Sequence, residues 1–266
     1  GHQILSCADV IVYDYLCNPR ILRWARPDAE KILAGKRSRN PSIAQEETNA
    51  LLVDRVRRGL VVARLKGGDP CVFGRGGEEA EHLARAGLRF EIVPGVTSAI
   101  AAPAYAGMPV THRDHCSAFI VATGHIDPRK NAVTLDYPLL ARFDGTRIIL
   151  MGVGKLREIA SGLIGAGAAG DTPAAVVQWG TLGRQRSVSG TLADLADLAG
   201  REGIGPPGII VVGGVASARD ALGWFERRPL IGKKVVITRP SSEAEPLAWA
   251  LEDLGADLIE VPLIRI

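Results

Sequence analysis

The chain has 266 residues, with 47% hydrophobic and 23% charged side chains and a net charge of +3. That is enough apolar material for about two packed domains, and it excludes a disordered chain. The small positive charge, with no aromatic-rich basic stripe, does not support nucleic-acid binding, and no apolar run is long enough for a membrane span.

In chain order, Val10–Tyr13 reads as a buried strand ending at Asp14. Leu60–Leu65 is a second strand, followed by Lys66-Gly67-Gly68-Asp69-Pro70. Glu78–Ala86 predicts a helix with Ala80, Leu83 and Ala84 inward, stopped by Gly87. Phe90–Val93 predicts a strand and Pro94–Thr97 a turn, with Thr97 suited to cap the small-residue stretch that follows. The pattern restarts after His112-Arg113. Strands are expected at Ala118–Ala122, Arg147–Met151, Ala174–Trp179 and Ile209–Val212. Helices are expected at Lys155–Ile164, with Leu156, Ile159 and Leu163 inward, and at Val215–Phe225. Lys234–Thr238, Ala244–Leu254 and Leu258–Ile266 form a strand–helix–strand unit. The expected fold is α/β with largely parallel sheets, divided at 1–113, 114–228 and 229–266.

Ligands of open α/β sheets sit at the carboxyl ends of strands. Five glycines fall within residues 67–77, straight after a buried strand. Such a loop lets its backbone approach a ligand closely. It matches no P-loop, because each Gly-Lys pair lacks the following Ser or Thr. Gly165, Gly167 and Gly170 match Gly-x-Gly-x-x-Gly but follow a helix, so they read as a helix stop. Asp14 is either a turn aspartate or a carboxylate facing a cleft. Lys36-Arg37-Arg39 is either a solvated loop or a site for a polyanion. Cys7, Cys17, Cys71 and Cys116 form no Cys-x-x-Cys pair, and His112, His115 and Cys116 lack further ligands, so neither a disulfide frame nor a metal is expected. Free thiols and the lack of a leader point to the cytoplasm.

Arg64-Leu65-Lys66-Gly67-Gly68-Asp69-Pro70 and Val72-Phe73-Gly74-Arg75-Gly76-Gly77-Glu78-Glu79 resemble the tetrapyrrole methylase family, and within it the uroporphyrinogen-III C-methyltransferases. Tyr13-Asp14, Gly35-Lys36-Arg37, Gln45–Asn49, Val93–Ser98, Ala104–Gly107, Pro109–Arg113 and Thr123-Gly124-His125 follow in the family's order. The resemblance covers about residues 1–226. Cys71 stands where the family usually has Phe. The resemblance implies two α/β domains with S-adenosylmethionine in the cleft between them, a homodimer, and two methyl transfers onto uroporphyrinogen III. By position it implies a cofactor site of Gly67, Gly68, Asp69, Val72, Thr97, Ser98, Met151 and Gly180. It also implies Asp14 as proton acceptor and Lys36 as proton donor. Arg37, Arg39, Arg75 and Arg113 are candidate anchors for the substrate's carboxylates. The family's opening strand and Gly-x-Gly-Pro-Gly-Asp-Pro loop have no counterpart before Gly1, so a fragment of a longer polypeptide with reduced activity is expected. Residues 229–266 resemble the start of uroporphyrinogen-III synthase. The competing readings are a methylase of the same fold with another acceptor, and a non-catalytic binding or dimerisation module.

Overall fold

The computed structural model describes residues 1–34, 45–124 and 135–263, the side chains of 241–243 excepted. They form two units, Gly1–Thr97 and Ser98–Ile266.

The first unit contains α1 (His2–Cys7), β1 (Val10–Tyr13), β2 (Glu30–Leu33), α2 (Gln45–Arg57), β3 (Val62–Leu65) and α3 (Gly76–Arg85). The strands pair in parallel in the order β2-β1-β3. Alternation along β1 explains why the run Val10-Ile11-Val12 is apolar throughout. Ile11 packs on one face with Leu5, Ala8 and Ala63, while Val10 and Val12 pack on the other with Ala34 and Leu52. Parallel pairing puts all three carboxyl ends at one edge. The register Tyr13↔Leu65 then sets Asp14 beside Lys66.

Two expectations fail in this unit. Phe90–Val93 belongs to no strand, and Phe90, Ile92 and Val93 are exposed. An apolar run becomes a strand only where a neighbour satisfies its backbone groups, and none of the described strands pairs with it. In α3, Ala84 is exposed and the buried residue is Glu79, at 4% exposure.

The second unit opens with α4 (Ser98–Tyr105). There follow β4 (Phe119–Thr123), α5 (Tyr137–Arg142), β5 (Thr146–Leu150), α6 (Leu156–Gly165), β6 (Pro173–Gln178), β7 (Arg186–Thr191), α7 (Leu195–Arg201) and β8 (Gly208–Val212). The sheet order is β4-β5-β8-β6-β7. Here the expectation of parallel pairing is corrected, since β4 and β5 are parallel but β5–β8, β8–β6 and β6–β7 are antiparallel. The short link between β6 and β7 can close a hairpin but cannot carry a crossover. One face buries Ile149, Val176 and Ile210 under Ile159 and Leu163 of α6 and Leu195 of α7. The other buries Ile148, Ala175, Val177 and Val211 with Ala99 and Ala102 of α4. Helix α6 turns Leu156, Ile159 and Leu163 inward as its periodicity predicts, and it ends at Gly165.

The expected helix Val215–Phe225 is broken. A 3₁₀ turn (Gly214–Ala218) leads into the single turn α8 (Arg219–Leu222), and the chain opens at Gly223 before a second 3₁₀ turn (Phe225–Arg227). The break follows from close packing at Gly107, whose added Cβ would lie 2.4 Å from Leu222 C and from Gly223 N. The last segment is β9 (Lys234–Ile237), α9 (Ser241–Asp253) and β10 (Asp257–Glu260), a parallel βαβ unit closed over Ile237, Ala244 and Ala248. Its second strand is shorter than the apolar run suggests, and residues 264–266 lie outside the described residues. No described helix is long and apolar enough to cross a membrane.

Candidate active site

The carboxyl edge of the first sheet carries a group of charges. Arg64 lies in β3 and Lys66 directly follows it, two residues on, so their side chains leave the extended chain on the same face. Arg64 Nη2 donates to Asp14 Oδ1 at 2.5 Å, and Lys66 Nζ lies 3.6 Å from Asp14 Oδ2. Behind them Glu79 Oε1 accepts from Arg64 Nε at 3.2 Å, Lys66 Nζ at 3.1 Å and Gln45 Nε2 at 3.1 Å. The side chains of Lys66 and Glu79 are 7% and 5% exposed, against 27% for Asp14. Asp14 is therefore the open end of a largely buried network. Sequence reasoning placed Asp14 at this edge but assigned no role to Arg64, Lys66 or Glu79. The signal was two cations at strand spacing on an apolar strand, which cannot be buried without counter-charges.

Cys17 closes the turn after β1, donating from Sγ to Leu65 O at 3.4 Å. Burial pushes its thiol up, which lowers its thiolate fraction. Cys7 and Cys71 are exposed. At neutral pH, iodoacetamide is expected to alkylate Cys7 and Cys71 well before Cys17. Peptide mass spectrometry over a time course reads this, and equal labelling of Cys17 would contradict the packed turn.

Asp69 ties two loops together. Its Oδ1 accepts from Cys71 N at 2.8 Å and its Oδ2 from Gly95 N at 3.0 Å. The Gly95 amide first, and then that of Cys71, hold its carboxyl below the usual carboxylate range. The clamp is thus complete at neutral pH and is lost only as pH falls through that lowered range. A Cβ on Gly95 would sit 2.2 Å from Gly68 O, and one on Gly74 or Gly76 would sit 2.6 Å from Pro70 O. Gly68 itself has φ +78°. These glycines are demanded by loops pressed backbone to backbone. The loop also lies against the turn after Asp14, where a Cβ on Gly67 would be 3.4 Å from Leu16 O.

Strained backbone is found in both units. Among the described residues, the non-glycine positions with positive φ are Phe73, Arg75, Met151, Trp179 and Thr181. Phe73 and Arg75 follow Val72 in the first unit. In the second unit Met151 follows β5, while Trp179 and Thr181 flank Gly180 after β6. Such conformations persist only where the surroundings impose them, and they cluster at functional sites. Gly180 is pressed against α4, a Cβ there lying 2.4 Å from Ala102 Cβ. The turn is braced by buried Gln185, whose Oε1 accepts from Thr181 N at 2.7 Å. Gly124 and Gly152 bring the ends of β4 and β5 together, since a Cβ on Gly124 would lie 2.5 Å from Gly152 Cα.

The remaining nominated residues fall as follows. Thr97 is the last residue of the first unit, and Ser98 opens α4 in the second. Arg75 pairs with Glu78 at 2.6 Å. Arg113 is exposed in the turn closed by the His112↔Cys116 bridge. Lys36, Arg37 and Arg39 lie outside the described residues. Among the described residues no three His, Cys, Asp or Glu side chains converge as they would around a metal ion.

A glycine-cradled loop at the end of β3, tied through Asp69 to a second glycine-bearing loop and next to a partly exposed carboxyl group, is the arrangement of an α/β protein that holds a small ligand at its sheet edge. Residues 1–196 match the family described as Tetrapyrrole (Corrin/Porphyrin) Methylases, and the chain belongs to that family. It is 48% identical over 265 residues to a protein of Bacillus subtilis (strain 168) named uroporphyrinogen-III C-methyltransferase, covering 100% of this chain and 55% of that protein. It is 49% identical over 223 residues to an S-adenosyl-L-methionine-dependent uroporphyrinogen III methyltransferase of Methanosarcina barkeri (strain Fusaro / DSM 804), covering 84% of this chain and 88% of that one. The chain thus spans about half the length of the Bacillus relative and most of the Methanosarcina one. Its fold resembles the crystal structure of uroporphyrin-III C-methyl transferase from Thermus thermophilus complexed with S-adenyl homocysteine. The TM-score is 0.67 at 36% identity, over 81% of this chain and 90% of that one.

Proposed function

We propose that this chain transfers methyl groups from S-adenosylmethionine to uroporphyrinogen III, twice, giving precorrin-2 for sirohaem or cobalamin synthesis. The observation that carries the reading is the clamp of Asp69 on Cys71 and Gly95, next in the chain to the Asp14–Lys66 pair. The residues present suit the cofactor. Gly67 and Gly68 expose backbone at the strand end, Val96 is 69% exposed beside Gly95, and Met151 is 51% exposed after β5. In this reading Gly67, Gly68, Asp69, Val72, Thr97, Ser98, Met151 and Gly180 hold the cofactor.

Bound S-adenosylmethionine supplies a methyl already activated by its sulfonium, so no protein nucleophile is required. The loops hold the donor in line with an electron-rich ring carbon and exclude water. Asp14 takes the proton released when the methylated ring settles. Lys36 returns a proton or binds a carboxylate. Arg37, Arg39, Arg75 and Arg113 bind substrate carboxylates through charge-assisted hydrogen bonds. A homodimer, a cytoplasmic setting and a synthase beginning at residues 229–266 belong to the same reading.

The test is calorimetry with S-adenosylhomocysteine, followed by anaerobic transfer of labelled methyl to uroporphyrinogen III. Binding with formation of the dimethylated product is expected. Binding without transfer would favour a binding or dimerisation module. Transfer to another corrinoid alone would move the chain to a different branch of the family.

A further inference from the structure

The charge network behind Asp14 contains more than Asp14 needs as a partner. Two cations, Arg64 and Lys66, stand between two carboxyl groups, Asp14 in front and Glu79 behind. The rear carboxyl is the better buried and touches both cations through a single oxygen, Oε1. Its helix brings it there: α3 begins at Gly76, so Glu79 lies in the first turn and faces β3. Gln45 Nε2 bridges Glu79 Oε1 and Asn49 Oδ1, and Asn49 Nδ2 in turn meets His82 Nδ1 at 3.3 Å.

We propose that Glu79 is a positioning residue that tunes Asp14 as a base by drawing Arg64 and Lys66 partly away from it. The proposal rests on the reading of Asp14 as proton acceptor. A carboxylate held by two uncompensated cations is a poor base, because the opposite charges favour its deprotonated form. Glu79 shares both cations, and only the contact from Arg64 Nη2 to Asp14 closes to 2.5 Å, while Lys66 stays at 3.6 Å. Among the described residues, the titratable and charged groups around Asp14 are Arg64 in β3, Lys66 directly after it, Glu79 behind both from α3, and Cys17 from the turn after β1. Burial keeps the Cys17 thiol protonated at neutral pH, and α2 contributes the amides of Gln45 and Asn49.

Charge division makes opposite predictions for two neighbouring side chains. Glu79→Gln keeps an acceptor oxygen for both cations but removes the rear charge, leaving Asp14 as their sole anionic partner among the described residues. Its titration midpoint is expected to fall. Lys66→Gln removes one cation and leaves Arg64 shared between two carboxylates, so the midpoint is expected to rise. The double variant has one cation fewer and one anion fewer and is expected to return towards the parent value. A purely structural role would weaken the fold in each variant and would give no such reversal of sign.

The experiment is a carbon-13 carboxyl titration of the 266-residue chain labelled at aspartate, with the Asp14 resonance assigned through Asp14→Asn. Opposite shifts in the single variants support the proposal. Unchanged midpoints, or shifts of the same sign, overturn it. If Glu79→Gln does not fold, Glu79→Asp decides: it keeps the charge but draws the carboxyl group back from both cations, so a fall in the Asp14 midpoint supports the division of charge, and no change or a rise overturns it. The anaerobic pH–rate profile then separates this inference from the reading beneath it. An acid limb that follows the carboxyl midpoints supports both, whereas carboxyl shifts with an unmoved acid limb leave the charge division standing and remove Asp14 as the base.

Discussion

Gly95→Ala lowers affinity for S-adenosylhomocysteine by at least about tenfold, equivalent to about 1.4 kcal/mol. The added methyl carbon would lie 2.2 Å from Gly68 O and 3.1 Å from Gly68 C. Both are backbone atoms, so no side chain can swing aside. Gly68 already sits at φ +78°, which narrows the ways its peptide can move. The two loops must separate, and separation lengthens the bond from Gly95 N to Asp69 Oδ2 that joins them. Overpacking of this kind costs about 1–3 kcal/mol. Here the distortion falls on the loops assigned to the cofactor, so it reads out as lost affinity. Gly165→Ala is the matched control. It adds the same methyl at the end of α6, where nothing lies within 4 Å, and its affinity should equal the parent's. Calorimetry on both variants, with circular dichroism to confirm folding, checks the contrast. Parent-like affinity in a folded Gly95→Ala would mean that these loops do not hold the cofactor.

The parts of the fold that were legible are those where burial leaves a mark in composition. β1, β5, β6 and β8 are continuous apolar runs because both faces of their sheets are covered. β2 and β7 are edge strands whose sequences, Glu30–Leu33 and Arg186–Thr191, carry exposed charge at Glu30, Lys31 and Arg186 and half-buried hydroxyls at Ser187, Ser189 and Thr191. That is how edges avoid further pairing, and it erases the apolar signal. Phe90–Val93 shows the converse, a run with strand-like residues and no strand beside it. The Val215–Phe225 helix failed on tertiary packing, because Gly107 needs backbone rather than a helix flank at Leu222–Gly223.

The candidate site divides along the same line. Asp14 and the glycines of residues 67–77 were legible because strand ends and backbone approach have local signatures. Asp69's double role was not, since its two partners are separated by 24 positions and meet only when the loops fold together. Glu79 was hidden by its own periodicity. A carboxylate in the first turn of an amphipathic helix ordinarily reads as a favourable dipole contact. What makes it different is the pair of cations at the end of β3, Arg64 and Lys66, and nothing local to α3 announces them.

Asp14→Asn slows methyl transfer by about 10²–10⁴-fold, the usual contribution of a general base, with little change in cofactor affinity. Asparagine is the informative replacement because it keeps the shape of the side chain and an oxygen to accept from Arg64 Nη2. Alanine would also leave Arg64 and Lys66 short of a partner, which mixes lost chemistry with lost packing. Asn cannot take up a proton at this position, so the variant isolates that step. Cofactor affinity should hold because Asp14 contacts neither the Asp69 clamp nor Gly95. Its partners are the two cations of the β3 edge. The measurement is single-turnover methyl transfer at saturating cofactor, paired with calorimetry on the same preparation. A fall in rate with unchanged binding supports a base acting after the donor is in place. A fall in both would make Asp14 part of the scaffold that holds the loop against Leu16, and parent-like turnover would remove it from the chemistry altogether.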